Sequence, residues 1–185
     1  MTGTRFLLLA ATFVAISVPA AAQGLRPGAS GRATTSVRLT AQGQQPATIT
    51  IDYGQPHARG RAVAGALAGD LGQVWRLGAN EMTVIKSDVD LMIGNLTVPK
   101  GTHSLAAETS ATGEWRLIVN RKIDAWGIPY DASTEMGRTA LTSKALTSPV
   151  EAFTMWLVPA TDGSASGVIR FAWGTREFSA PWRVK

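Results

Sequence analysis

The chain has 185 residues, 45% of them hydrophobic and 17% charged, which suits one globular domain with a core of its own. Its 18 basic and 13 acidic residues give a formal net charge of +5, and the basic residues are too dispersed to build a nucleic-acid-binding face. The absence of cysteine excludes disulfides, thiolate zinc sites, iron–sulfur clusters, cysteine nucleophiles and a lipid anchor carried on cysteine.

The first 22 residues read as a cleaved secretory signal peptide. Arg5 supplies the positive n-region, residues 6–18 are an uncharged apolar stretch, and Pro19 breaks it. Ala20-Ala21-Ala22 then offers small side chains before a cut at Gln23. An apolar run of 13 residues falls short of the ~20 that a spanning helix needs. No later segment is long and apolar enough to span either, so a periplasmic or secreted protein is expected. Its mild positive charge permits loose attachment to anionic envelope polymers.

Residues 23–33 are rich in glycine and small side chains and read as a flexible leader, followed by a single domain over residues 34–185. Period-two alternation begins there. Val37 and Leu39 alternate with Ser36, Arg38 and Thr40, and Ile49, Ile51 and Tyr53 alternate with Thr48, Thr50 and Asp52. Residues 43–46 form the expected hairpin turn between them. A loop over residues 52–61 leads to an Ala-rich stretch, 62–71, that has room for one or two helical turns. Residues 81–87 and 88–93 are expected to pair as strands. Gly94-Asn95 turns into 96–98, and 102–108 and 115–120 form a second hairpin. Later strands are expected at 139–142, 150–158, 167–173 and 176–184, with Gly174-Thr175 as the turn between the last two. Short strands at this spacing predict an all-β fold, an antiparallel β-sandwich or barrel-like sheet with short irregular or helical connections.

Of six tryptophans, Trp115, Trp173 and Trp182 alternate in phase with apolar neighbours and are expected in the core. Trp75 and Trp126 sit among glycine and polar residues outside clean strands, which gives them a claim to a site. His103 is in phase with Leu105 and Ala107 and is expected as a packed histidine. His57 stands alone in its loop, and the two histidines lack ligand spacing, so no metal site is expected. No G-x-S-x-G elbow frames a serine, and the glycine-rich phosphate loops are missing, so no cofactor is expected either.

The most informative stretch runs from Ile49 to Val84, where arginines, aromatics, Asn80 and Glu81 gather beside glycines. Tyr53, Pro56, Gly60 and Arg61 form one run, followed by Val74-Trp75-Arg76, Gly78-Ala79-Asn80-Glu81 and Thr83. Val98-Pro99-Lys100-Gly101-Thr102 and Ser104-Leu105 form another, and Trp115, Asn120, Trp126-Gly127, Tyr130 and Val150-Glu151 complete the pattern. On these residues the chain resembles the bacterial family called domain of unknown function 2911, over most of its length after the leader. Two positions depart from the pattern: His103 stands where the family usually has tyrosine, and Leu77 where it usually has threonine. The resemblance implies an exported β-rich domain and names no substrate, catalytic residue or cofactor.

Read as chemistry, Arg61 and Arg76 are fixed cations whose planar forks suit a carboxylate or phosphate. One reading pairs Arg76 with Glu81 inside the protein, pinning the loop after Trp75. The other is a polar cleft walled by Tyr53 and Trp75, in which Arg61, Arg76, Asn80 and Glu81 address a ligand. The expected function is an exported, non-catalytic binding or interaction domain of the bacterial cell envelope, taking a small anionic or sugar-like ligand. The alternative is a hydrolase using Glu81 as acid or base beside Arg61 and Arg76. Nearby arginines would depress the carboxyl pKa that a general acid needs raised, which counts against it.

Overall fold

A computed structural model describes residues 30–61, 63, 73–110, 113–123, 126–127 and 129–185. The signal segment, most of the leader and the Ala-rich stretch apart from Val63 lie outside these residues. Among the described residues no helix is long and apolar enough to cross a membrane.

Alternation of apolar and polar side chains becomes sheet throughout. Strands β1 (Gly31–Leu39) and β2 (Ala47–Gln55) form the expected first hairpin, paired from Gly31↔Gln55 to Leu39↔Ala47. The end of the stretch read as a flexible leader is strand instead. Residues 31–33 already belong to β1, because Ala33 opposes Tyr53 and packs against the core. The chain continues through β3 (Val74–Trp75), β4 (Thr83–Ser87), β5 (Leu91–Ile93), β6 (Leu96–Val98), β7 (Gly101–Thr109) and β8 (Trp115–Asn120). A 3-10 turn (Ala132–Thr134) precedes β9 (Glu135–Ala140), and two long strands, β10 (Thr142–Pro159) and β11 (Ser166–Val184), close the domain.

Two antiparallel sheets result, with the order β1-β2-β4-β7-β8-β9 in one and β10-β11-β5-β6 in the other. The short β3 joins the first sheet on β7, at Val74↔Glu108 and Trp75↔Ala107. Since β8 takes the other flank of β7, β3 and β4 share one flank and the loop 76–82 bridges them. The inner faces meet as a sandwich, as expected. Ile49, Ile51, Ile85, Leu105, Leu117 and Val119 come from the first sheet, and Met155, Leu157, Ile169, Phe171 and Trp182 from the second. Phe153 stands at the centre of an aromatic cluster, with ring centroids 5.6 Å from Tyr53, 5.1 Å from Trp75 and 6.0 Å from Phe171. Fully burying a side chain of that size contributes about 1.5–3 kcal/mol.

Two local expectations fail for identifiable reasons. Residues 81–87 and 88–93 do not pair with one another; β4 lies in the first sheet and β5 in the second. The aspartates at the crossing secure it. The Asp88 carboxylate accepts from the Thr48 N–H at 2.9 Å, and that of Asp90 from the Lys100 N–H at 2.8 Å. Nor does Gly174 turn the chain. Strand β11 runs straight through it, with Gly174 at φ 58 opposite Val150, where the β10–β11 register shifts. A left-handed residue at a register shift is a bulge, which bends a long strand rather than reversing it.

Candidate functional site

The six residues singled out from sequence occupy three local structures. The first is a clamp that extends β2 onto the second sheet. Past the end of β2, Phe153 N–H donates to the Pro56 carbonyl and Ala58 N–H to the Glu151 carbonyl, both at 2.8 Å, around a bridge between His57 and Ala152. Arg59 N–H is received by the Glu151 carboxylate at 2.8 Å. Arg61 folds back on the same loop, donating to the carbonyls of Ala58 at 3.0 Å and His57 at 2.7 Å, with its guanidinium 5.9 Å from the Trp173 ring. Tyr53 is buried at 3% exposure, edge-on to Phe153. It is a core residue rather than a wall of a cleft.

The second structure is the loop 76–82, which carries the Gly-Ala-Asn-Glu run. It lies directly on β2, where a side-chain carbon at Gly54 would fall 1.8 Å from the Ala79 carbonyl oxygen. Leu77 is fully buried, and its carbonyl accepts from the Thr83 hydroxyl at 2.5 Å. Asn80 reaches the Ser30 carbonyl at 3.4 Å. Glu81 is 59% exposed in its side chain and faces Arg32 at 3.6 Å; Arg32 also pairs with Asp52. The ion pair expected between Arg76 and Glu81 does not form, because Arg32 on the neighbouring strand is the cation that Glu81 meets.

The third structure is an open cleft of about 410 Å³ beside β3, lined by Gln73, Val74, Trp75, Arg76, Gly78, Gly127 and Tyr130. Two of the six nominated residues, Trp75 and Arg76, come together here. Trp75 is half-buried and stacks on Trp173 at 5.9 Å, so packing fixes its ring. Arg76 donates to the Trp126 carbonyl at 3.3 Å, its one hydrogen bond among the described residues.

Tyr130 ties the cleft to a polar network that sequence reasoning missed. Its hydroxyl donates to Glu135 at 2.7 Å, Arg138 grips Glu135 with two bonds of 2.8 Å, and the same guanidinium reaches Glu108. Glu108 pairs in register with Val74, which lines the cleft, so the network lies beside it. The hydrogen bonds from Arg138 hold the Glu135 carboxyl below its ordinary range, although burial pushes the other way. Burial, and then the bond to Glu135, raise the Tyr130 phenol well above its ordinary value, so it stays neutral at physiological pH. Its proton is committed to Glu135, and the Asn120 side chain bonds the hydroxyl as well. The one available signal was Tyr130 itself, which belongs to the family pattern. The partners on β7 and β9 were not readable, because no spacing rule links residues 108, 130 and 138.

The two residues that depart from the family pattern both have partners within the protein. Leu77 fills core space, and His103 bonds the Pro99 carbonyl through Nε2 at 2.8 Å. Among the described residues no three His, Asp or Glu side chains converge as metal ligands. The profile of a family described as "Protein of unknown function (DUF2911)" matches residues 35–182. No curated protein and no solved structure matches the chain.

Proposed function

The chain belongs to the DUF2911 family of proteins of unknown function, and we propose that it is an exported, non-catalytic binding domain of the bacterial cell envelope. Its ligand is small and anionic or sugar-like, and it enters the cleft beside β3. The observation that carries this reading is Arg76, a fixed cation on the wall of a preformed cleft with most of its donors unspent among the described residues. A volume of about 410 Å³ suits a small molecule. Trp75 and Tyr130 give the cleft apolar surface, and the Gln73 amide gives it a donor and an acceptor for hydroxyls. Among the described residues the lining contains no carboxylate, imidazole or serine hydroxyl, and its phenol, Tyr130, is held neutral, which supports binding without turnover. Export is supported by the charged start, apolar stretch and Ala-x-Ala site of the first 22 residues. The hydrolase alternative gains nothing, since Glu81 and Arg61 do not line the cleft with Arg76.

A thermal-shift screen of anionic metabolites and cell-envelope sugars, followed by calorimetry, tests the proposal. A ligand at a hundred times its Kd should stabilise the fold by about 2.7 kcal/mol. Arg76→Ala should abolish that shift, whereas Arg61→Ala should retain it. If no compound stabilises the protein and Arg76→Ala only lowers the melting temperature, Arg76 is structural and the binding reading falls.

A further inference from the structure

Trp126 is the most exposed of the large hydrophobic side chains among the described residues, at 59% exposure. Trp173, Trp182 and Phe153 are buried, and Trp156, the other exposed tryptophan, lies under the Arg170 guanidinium at 5.8 Å. Trp126 has no such cover among the described residues. Its backbone is held in place. Its carbonyl receives the Arg76 guanidinium, and the adjoining Gly127 is buried against Met82 while lining the cleft. The backbone of Trp126 is therefore tied to the Arg76 guanidinium, 50 residues away in sequence, and its exposed indole adjoins the cleft through Gly127, which lines it.

We propose that the cleft takes an acidic sugar, a pyranose bearing a carboxylate, with the carboxylate on Arg76 and the ring's apolar face on Trp126. The proposal rests on the binding reading above and adds the ligand class. A guanidinium fork matches a carboxylate in plane and charge. The C–H hydrogens on one face of a pyranose carry slight positive charge and meet the negative face of an indole. The hydroxyls at the ring's edge need both donors and acceptors, and the Gln73 amide on the cleft wall has both. A ligand with only a carboxylate would leave Trp126 idle, and a neutral sugar would leave Arg76 without a counter-ion.

Calorimetry on the mature protein with glucuronic and galacturonic acid, and with oligomers of each, tests this. Glucose, neutral oligosaccharides and the ringless acid succinate serve as controls. At least one acidic sugar should bind, with the controls at least tenfold weaker. Binding of monomer and oligomer alike marks a free sugar acid as sufficient, and binding of oligomers alone marks an envelope polymer; both support the proposal. Trp126→Ala should weaken binding at least tenfold without lowering the melting temperature, because the indole is exposed. Arg76→Ala should weaken it at least as much, with Arg76→Lys intermediate. If succinate binds as tightly as the sugars and Trp126→Ala changes nothing, the sugar assignment is overturned while Arg76-dependent anion binding stands. If no acidic sugar binds, the sugar assignment is likewise overturned, and a continued Arg76-dependent response to other ligands would preserve the broader reading.

Discussion

Gly54 sits inside strand β2, where glycine ordinarily weakens a strand by leaving nothing to pack. Its role becomes clear from the loop above it. The Ala79 carbonyl and amide occupy the space a side chain would need, and Leu77 and Asn80 hold φ values of 55 and 60 to bring the loop down. For asparagine that conformation is mild; for leucine it costs about 1–3 kcal/mol. Complete burial of the Leu77 side chain offsets it, with about 1.5–3 kcal/mol. Gly54→Ala should therefore cost roughly 3 kcal/mol, because the atom it would strike is backbone and the loop must lift. Gly43→Ala is the control: φ there is 74 and nothing lies within 4 Å, so only about 1 kcal/mol is expected. Urea unfolding of the two variants decides the matter, and equal losses would mean that the loop is not seated on the strand. The Gly-Ala-Asn-Glu run was thus legible as special, but its meaning was not. Sequence showed donors and acceptors beside glycines and suggested a ligand. The partner that explains the glycines, Gly54, lies 25 residues upstream on another element.

Among elements, three hairpins were legible because their evidence is local, although the same kind of signal misled at Gly174-Thr175, where β11 continues. The pairs β1/β2, β5/β6 and β7/β8 each join period-two runs across turn residues, and all three form as expected. The β4–β5 crossing was not legible, since it depends on what Asp88 and Asp90 bond elsewhere. The same limit hid the network of Tyr130, Glu135, Arg138 and Glu108, which joins β7, β9 and the segment between β8 and β9. That network makes a pH prediction. The Glu135 carboxyl titrates lower in the folded than in the unfolded protein. Its contribution to stability is therefore complete above the unfolded value near 4.5 and is lost as pH falls through the folded one. Glu135→Gln should cost about 2 kcal/mol at pH 7, for two charge-assisted bonds in a half-buried setting. The gap between wild type and variant should close on acidification below pH 4.5. Tyr130 works in the opposite sense: its phenol is raised on folding, so its contribution is complete below about pH 10 and is lost as pH rises through the folded value. Denaturation curves from pH 3 to 7 test the first of these claims, and a gap that stays constant would show that Glu135 is not charged and paired in the fold.

At the scale of the molecule, the two sheets are not independent layers. The β1 edge meets β10, where Leu157 N–H donates to the Thr35 hydroxyl at 3.2 Å, and the clamp at residues 56–59 ties β2 to β10 beside it. At the opposite edge the Leu96 side chain of β6 lies against the backbone of Gly137 in β9. Between these seams a single core draws side chains from both sheets, and no disulfide shares the load. Neither sheet can lose its inner face without exposing that of the other, so unfolding should be one transition. Phe153 is where the coupling is most concentrated, since it touches Tyr53 and Trp75 of the first sheet and Phe171 and Trp173 of its own. Phe153→Ala should cost about 3–5 kcal/mol, a large part of the 5–15 kcal/mol that holds an ordinary domain. The loss should move the far-ultraviolet dichroism and tryptophan fluorescence transitions together. Separation of the two in the variant, with fluorescence changing first, would mean that the Trp75–Trp173 end opens as a unit of its own. The cleft beside Trp75 would then stand on a local equilibrium rather than on the stability of the whole sandwich.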